Sequence, residues 1–384
     1  MTKEIADLWS AYARRENSRV PITFACDEQV WLKVAGHTFR EFYTDPVVHL
    51  RAQLEGRRWF SEHVAGDMPP EPEHCTVGVQ LWMAENEFFG CEVVYQEDDY
   101  AWAMPLRWGR DDLLHYLADL DPEEQVRRES AWRMYQSLRE LAEGLSFADR
   151  SVEVATPGQS THGIFTKAAE LRGLERMCLD LYEAPDFAER FLELVTDKTI
   201  ARIKTWHKLT TGHEPELPMD RPFHFCDDSL QLLSAPMYER FVLPCHERLY
   251  ATMATGERRL HLCGHAAQHY ASLRRRLNVT TIDGPGPFVD YGRHLRELGP
   301  DFAFGAQTDH SVLEHGSEAD VERMMRGMLI PQTKVPGRFQ IVGFLSRQTP
   351  LRNVKACYQY GRRYGGIGGE AGSSEEMPSP DDSR

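Results

Sequence analysis

The sequence predicts an α/β protein, a (β/α)8 TIM barrel with an N-terminal helical extension. From about residue 110 onward, short apolar stretches alternate with amphipathic helices, and each stretch is followed by a Gly- or Asp-rich turn. Repeated strand–turn–helix units indicate a parallel sheet. So many units over roughly 300 residues favour a closed barrel over an open sheet. No strand candidate is followed by GxGxxG, which disfavours an open dinucleotide-binding sheet.

The 384-residue chain divides into three predicted segments. Residues 1–70 are expected to form the helical extension in front of the barrel. Residues 71–365 are expected to form the barrel, with residues 77–82 as its first strand candidate. Residues 366–384 are rich in Gly, Ser, Pro and acids and nearly lack large apolar side chains, so they predict a disordered acidic tail.

The second half of the chain contains five further strand candidates. They are short apolar runs, most of them rich in β-branched or aromatic residues, and each precedes a turn and a helix. They cover residues 223–226, 259–263, 279–283, 302–305 and 339–343.

Helix starts between these strands are predicted from capping residues. Pro185 opens a long helix whose apolar residues recur at helical spacing. Ser234 is a predicted N-cap with a proline in the first turn. Ser317 begins a sequence close to a capping box, and Pro350 begins the last helix.

Composition excludes several classes of protein. A formal net charge of −15 disfavours a nucleic-acid-binding surface. No apolar run reaches the length of about 18 residues needed for a membrane-spanning helix, and the first residues lack the pattern of a secretory signal. Eight scattered cysteines without a CxxC pair indicate reduced thiols. We therefore expect a cytoplasmic protein that binds neither nucleic acid nor membranes.

The active site of such a barrel lies at the C-terminal ends of its strands. His261 and Cys263 are two residues apart on a predicted strand, so their side chains point to the same side. A thiolate beside an imidazole suits zinc, which takes three or four protein ligands. A buried, hydrogen-bonded histidine next to a cysteine that acts as a small apolar residue is the alternative.

Polar residues also follow the preceding strand. The same alternation places His224, Cys226 and Asp228 on one face. We expect Asp227 or Asp228 to be catalytic, either by orienting the substrate or by acting as a base. Capping of a helix or loop by these carboxylates is the competing interpretation.

Three residues after the next strands complete the predicted site. Asp283, Gln307 and His310 are expected to line the substrate pocket together with His224 and Cys226. Residues 95–102 combine acids with aromatic side chains. They are either a rim loop over a pocket or plain surface, and the sequence leaves both open.

Short motifs along residues 19–365 resemble those of the uroporphyrinogen decarboxylase (URO-D) superfamily. This superfamily consists of (β/α)8 barrels and also contains corrinoid-linked methyltransferases. The resemblance rests on the ensemble: residues 19–22 (RVPI), 92–98 (EVVYQED), 168–173 (AAELRG), 227–228 (DD), 233–244 (LSAPMYERFVLP), 261–264 (HLCG) and 350–356 (PLRNVKA).

The resemblance is closer to the methyltransferase branch than to true uroporphyrinogen decarboxylases. The decarboxylase branch implies an arginine-rich segment near the N-terminus and an acid on the first barrel strand, since a polycarboxylate substrate needs cationic partners. Residues 20–24 (VPITF) and 77–82 (VGVQLW) provide neither. The methyltransferase branch implies that His261 and Cys263 are zinc ligands, and that zinc activates a thiol acceptor.

That branch also implies a further cysteine after the last strand. Residues 339–349 contain none. Cys226, Asp228 and His310 therefore remain candidates for the third zinc ligand.

The resemblance implies a zinc-dependent methyltransferase that moves a methyl group to or from a corrinoid (cobalamin) cofactor. A small-molecule methyl donor or acceptor and a separate corrinoid protein would be its partners. One alternative is a URO-D-type carboxy-lyase acting on a tetrapyrrole, which needs converging cations at the barrel mouth; the candidates are Arg107, Arg172, Arg347 and Arg352. The other alternative is a non-catalytic barrel that binds a small molecule.

Overall fold

The structure is a computed structural model, and it describes residues 3–70 and 72–368. Its strands are β1 (Ile22–Cys26), β2 (Cys75–Val77), β3 (Val93–Val94), β4 (Trp102–Ala103), β5 (Ser146–Phe147), β6 (Arg150–Val154), β7 (Phe223–Cys226), β8 (Arg258–His261), β9 (Val279–Asp283), β10 (Ala303–Gln307) and β11 (Phe339–Leu345). Most of the predicted tail, residues 366–384, lies outside the described residues.

The α-helices cover most of the remaining described chain. They are α1 (Lys3–Ala13), α2 (Glu28–Ala35), α3 (Phe39–Thr44), α4 (Pro46–His63), α5 (Ala84–Phe88), α6 (Arg110–Asp119), α7 (Pro122–Arg128), α8 (Ser130–Ala142), α9 (Ile164–Arg172), α10 (Leu174–Glu183), α11 (Pro185–Thr211), α12 (Ala235–Met237), α13 (Leu243–Met253), α14 (Tyr270–Leu277), α15 (Tyr291–Glu297), α16 (His310–His315), α17 (Glu318–Met328) and α18 (Leu351–Tyr364). A π-helical turn, Tyr238–Val242, joins α12 to α13.

The central structure is the (β/α)8 barrel that the sequence predicts. Six parallel strands are hydrogen-bonded in the order β1-β11-β10-β9-β8-β7. A second parallel pair, β2 and β6, supplies the other two barrel strands. Loop residues contact the outer strands at the two breaks in the ladder. Asp67, before β2, donates through its backbone N to Ile22 O and accepts from Ile22 N through its side chain. Thr161, after β6, accepts from Cys226 N through its backbone O.

The N-terminal segment differs from the prediction for residues 1–70. It is mainly helical, but β1 (Ile22–Cys26) pairs in parallel with β11 inside the barrel. It is therefore more than an extension in front of the barrel. The apolar run of β1 is only five residues long and lies between helices, so its period-2 signal is too short to stand out.

The predicted first barrel strand, residues 77–82, is also corrected. Only Val77 belongs to a strand, and the chain then continues as a loop into α5. The Gln53 side chain explains the early end, because it bonds both backbone groups of Gly78 at 2.9 Å. A side chain thus occupies the groups that a neighbouring strand would otherwise bond.

The five later strand predictions and the helix starts are confirmed in position. β7 and β9 match their predicted residues, whereas β8, β10 and β11 shift by one or two residues at their ends. Ser317 forms a capping box with Asp320 at the start of α17. Among the described residues, no helix is both long and apolar enough to cross a bilayer.

The strands that carry the site alternate between the helical layer and the barrel mouth. Phe225, Leu260 and Ile282 are fully buried, and the Phe225 ring packs against His246 and Tyr250 of α13. Their neighbours point the other way, and the register places Cys226 beside His261 and His261 beside Asp283. Alternation therefore collects polar side chains from three adjacent strands at one level of the barrel.

Candidate metal centre

Three possible metal ligands converge at the C-terminal ends of β7 and β8. Asp228, His261 and Cys263 each offer one ligand atom, and these atoms all lie within 4.8 Å of one another. His261 Nε2 is 3.1 Å from Cys263 Sγ and 3.9 Å from Asp228 Oδ1. We call these three residues the metal cluster. The structure thus confirms that His261 and Cys263 face together.

The chain positions this cluster through the ends of its strands. β8 ends at His261, and Cys263 N then donates to Asp228 Oδ1 at 2.7 Å. This bond ties the turn after β8 to the turn after β7. Gly264 follows with φ +72°, a conformation that other residues rarely adopt, so the chain can turn away directly after Cys263.

Asp283 at the end of β9 orients the cluster histidine. Its Oδ1 lies 3.4 Å from His261 Nδ1 and 3.2 Å from His224 Nε2. A carboxylate at one ring nitrogen directs the other nitrogen toward a metal. Gly284 leaves room for the ring, since a Cβ at this position would lie 2.6 Å from His261 Cε1. The structure therefore places Asp283 behind the cluster.

The charges of this region favour a cation. Burial lowers the pKa of His261, but its hydrogen bonds with Asp283 and Cys263 outweigh burial and raise that pKa to about 10. Burial raises the pKa of Asp283, but hydrogen bonds from His224 and His261 hold it well below the usual range. The protonated His261 ring supplies a positive charge that a metal ion would replace, because metal ligation requires the neutral imidazole.

The donor set fits zinc. One carboxylate oxygen, one imidazole nitrogen and one thiolate sulfur are all accepted zinc ligands, and three protein ligands leave one tetrahedral position open. Zinc bonds of about 2.0 and 2.3 Å would separate nitrogen and sulfur by about 3.5 Å. The observed 3.1 Å is a few tenths of an ångström shorter, so small side-chain adjustments would suffice.

Asp228 is the best placed of the three candidates for the third ligand. Cys226 lies on the same face, but it is not one of the three residues whose ligand atoms lie within 4.8 Å of one another. His310 follows β10 and is not one of the three clustered residues.

The chain is similar to known proteins in sequence and in fold. The chain matches the family model for uroporphyrinogen decarboxylase (URO-D) over residues 5–364. The chain belongs to the URO-D family. Among solved structures it is similar to a methyltransferase from Methanosarcina mazei, with a TM-score of 0.61, 13% identity, and coverage of 92% of this chain and 97% of that chain. This second likeness shows a shared fold. No curated protein gives a significant sequence match.

Asp227, predicted as a possible catalytic residue, is a structural residue in this URO-D barrel. Its side chain is fully buried. It accepts bonds from Phe165 N at 3.1 Å, from Thr166 N and Oγ1 at 2.8 Å each, and from His246 Nε2 at 2.9 Å. It therefore caps the first turn of α9, whose own N-cap, Gly163, has no side chain to do so. The Asp227 side chain has no exposed surface, so this arrangement matches the capping interpretation rather than a catalytic one.

The remaining predicted pocket residues lie on neighbouring strand ends. Gln307 ends β10 and its Oε1 is 3.3 Å from His310 Nε2. Gln307 N also donates to Pro285 O at 2.8 Å, which joins this strand end to the turn after Asp283. Their role as substrate-binding residues remains a prediction.

Sequence reasoning missed an acidic pair at another strand end. Asp27 and Glu28 directly follow β1. They were overlooked because residues 1–70 are predicted to lie outside the barrel. The available signal is the sequence itself: Cys26-Asp27-Glu28 closely repeats Cys226-Asp227-Asp228.

Proposed function

We propose that this URO-D-family barrel is a zinc-dependent methyltransferase that moves a methyl group to or from a corrinoid carried by a separate protein. The observation that carries the proposal is the metal cluster of Asp228, His261 and Cys263 at the mouth of the barrel. The shared fold with the methyltransferase from Methanosarcina mazei supports it.

Asp228, His261 and Cys263 would hold the metal. When bound, zinc lowers the pKa of a thiol and so keeps the thiolate available as a nucleophile at neutral pH. Asp283 accepts from His261 Nδ1, which fixes the tautomer whose Nε2 can bind the metal. His224 shares Asp283 and is exposed, and in this proposal it would receive the proton that the acceptor thiol releases.

The carboxy-lyase alternative receives less support. A tetrapyrrole with many carboxylates needs free cations at the mouth. Arg172, one of the four candidates, is instead paired with Asp180 at 2.7 Å and donates to Trp108 O at 3.0 Å. The side chains that contact His261 are Asp228, Asp283 and Cys263, so this strand end offers a polycarboxylate few cationic partners.

Metal analysis of the purified protein tests the proposal. We expect about one zinc per chain in the wild type, and its loss in His261→Ala and Cys263→Ala. His265→Ala and Cys226→Ala are matched controls, since both residues are near the cluster but outside it, and they should keep the metal. Equal metal content in all five proteins would refute the metal site.

A reaction assay then separates a methyltransferase from a binding barrel. Loss of methylcob(III)alamin absorbance is followed with a panel of thiols, for wild type and for Cys263→Ala. Thiol-dependent turnover that disappears in the variant supports methyl transfer. Bound zinc without turnover for any thiol or partner corrinoid protein would favour the non-catalytic alternative.

A further inference from the structure

A cavity lies at the end of β1, across the barrel from β8. Its volume is about 300 Å³, at the lower limit for ligand pockets. We call it the aromatic cavity, because four of its walls are aromatic rings. The residues used below are Asp27, Tyr43, Trp82, Met83, Tyr95 and Tyr100.

The aromatic walls are held in place by carboxylates. Glu28 Oε1 accepts from Tyr43 OH at 3.0 Å and from Trp82 Nε1 at 2.8 Å. Tyr100 OH donates to Asp27 Oδ2. The rings of Tyr43 and Tyr95 adjoin, with centroids 5.7 Å apart. The ring faces are therefore fixed before any ligand arrives, which reduces the entropic cost of binding.

Within the described residues, the hydrogen-bond donors to Asp27 and Glu28 are a backbone N–H, tyrosine hydroxyls and an indole N–H, none of them charged. Glu28 is fully buried behind Tyr43 and Trp82, and its Oε2 has no hydrogen-bond partner within the described structure. Burial and the charge of Asp27 raise the pKa of Glu28 to about 7. No lysine or arginine is among the described residues that line the cavity. A cation is thus the ligand that complements this region electrostatically.

We propose that the aromatic cavity binds a small methylated ammonium group, a tertiary or quaternary amine. Cations are attracted to the faces of Trp and Tyr rings, and this attraction strengthens when water is excluded. The charge of Asp27, which lines the cavity, adds to it.

The methylated form is favoured over a primary ammonium by the hydrogen bonds already made. A primary ammonium has three donors that need acceptors. Each oxygen of Asp27 already accepts one bond, from Gln29 N and from Tyr100 OH, and the other walls used here are ring faces and a thioether, so three ammonium donors would be poorly matched. A quaternary ammonium needs no acceptor, and its methyl groups can pack against Met83 and the ring faces.

The proposal rests on the cavity alone and holds whether or not the metal cluster is catalytic. Titration calorimetry with the full-length protein compares choline with 3,3-dimethylbutan-1-ol, its uncharged carbon isostere. We expect choline to bind at least about 10-fold more tightly, because only choline gains the cation–π and carboxylate attraction. No choline binding, or equal binding of both compounds, would overturn the proposal.

Variants locate the binding. Asp27→Asn keeps a side chain that can cap α2 but removes the charge, so it should weaken choline and leave the isostere unchanged. Trp82→Leu should weaken choline about 10-fold or more. Trp102→Leu is the matched control, an exposed tryptophan outside the cavity. Equal losses in Trp82→Leu and Trp102→Leu, or none in both Trp82→Leu and Asp27→Asn, would contradict the site.

Discussion

The ends of β1 and β7 carry nearly the same three residues, yet they use their acids in opposite ways. After β7, Asp227 turns inward to cap α9 and Asp228 faces the metal cluster. After β1, Asp27 faces the aromatic cavity and Glu28 is buried behind it. In each pair one carboxylate, Asp227 or Glu28, is buried and hydrogen-bonds structural groups. The other, Asp228 or Asp27, faces the open end of the barrel.

The difference follows from what comes next in the chain. Helix α2 starts directly after β1, and Asp27 is its N-cap, accepting from Gln29 N at 3.0 Å. A 3₁₀ turn, Asp228–Leu232, starts after β7, so Asp227 is free to cap the first turn of the distant α9. The neighbours then decide the ligand: nitrogen and sulfur donors suit a metal, whereas ring faces suit an organic cation.

The largest expected effect concerns Asp227. Asp227→Asn leaves a buried site with too few acceptors for the donors of α9 and His246, so we expect a loss of about 3–5 kcal/mol in the free energy of unfolding. Urea denaturation measures it. The zinc content of the folded variant should equal that of the wild type. A loss of zinc at unchanged stability would show that Asp227 takes part in metal binding instead.

The second effect concerns the opposite wall carboxylate, Glu28. The pKa of Glu28 is about 7 in the folded protein, above its value in the unfolded chain, so the folded state holds the proton more tightly. Protonated Glu28 therefore stabilises the fold fully below about pH 4.3. As pH rises through 7, the free energy of unfolding falls by a total of about 3 kcal/mol.

Glu28→Gln should therefore remove this pH dependence. Urea denaturation from pH 4.5 to 8 measures the unfolding free energies of Glu28→Gln and wild type. As pH rises, the wild type should lose stability relative to the variant. Tyr43 and Trp82 keep a partner in this variant, since the amide oxygen can accept. If the difference in unfolding free energy stayed constant with pH, the pKa of Glu28 would not be raised in the folded protein.

A third effect distinguishes the residue behind the metal from its ligands. Asp283→Asn should weaken zinc binding about 10–100-fold, because it weakens the orientation of His261 without removing a donor atom. Competition with a chromophoric chelator gives the affinity. Asp228→Ala removes a ligand atom and should lower the zinc affinity further than Asp283→Asn does. The reverse order would make Asp283 the ligand and Asp228 the supporting residue.

The smallest effect concerns the backbone beside His261. Gly284→Ala introduces a Cβ at φ +94° and 2.6 Å from His261 Cε1, so we expect a cost of about 1–2 kcal/mol in stability and weaker zinc binding. Gly286→Ala is the control, since its Cβ would meet nothing within 4 Å. Equal melting temperatures and zinc affinities for the two variants would argue against close packing at Gly284.

Much of the fold and two of the three residues of the metal cluster could be predicted from sequence. Strand alternation brought His261 and Cys263 to one side, and this local rule holds in the structure. The strand β1 escaped notice because five residues between helices give a weak periodic signal. With it, the acids at the start of α2 were missed.

The sequence by itself determined the alternating strands and helices, the helix starts, and the shared face of His261 and Cys263, because these depend on periodicity and capping over a few residues. Only the tertiary structure decided that Asp228 rather than Asp227 reaches the metal cluster, and that Asp283 supports His261. Those choices depend on partners far along the chain, such as α9 for Asp227 and β9 for His261. Each buried carboxylate adopts the orientation in which the packed barrel offers it hydrogen-bond donors, because burying an acid without hydrogen bonds is strongly unfavourable.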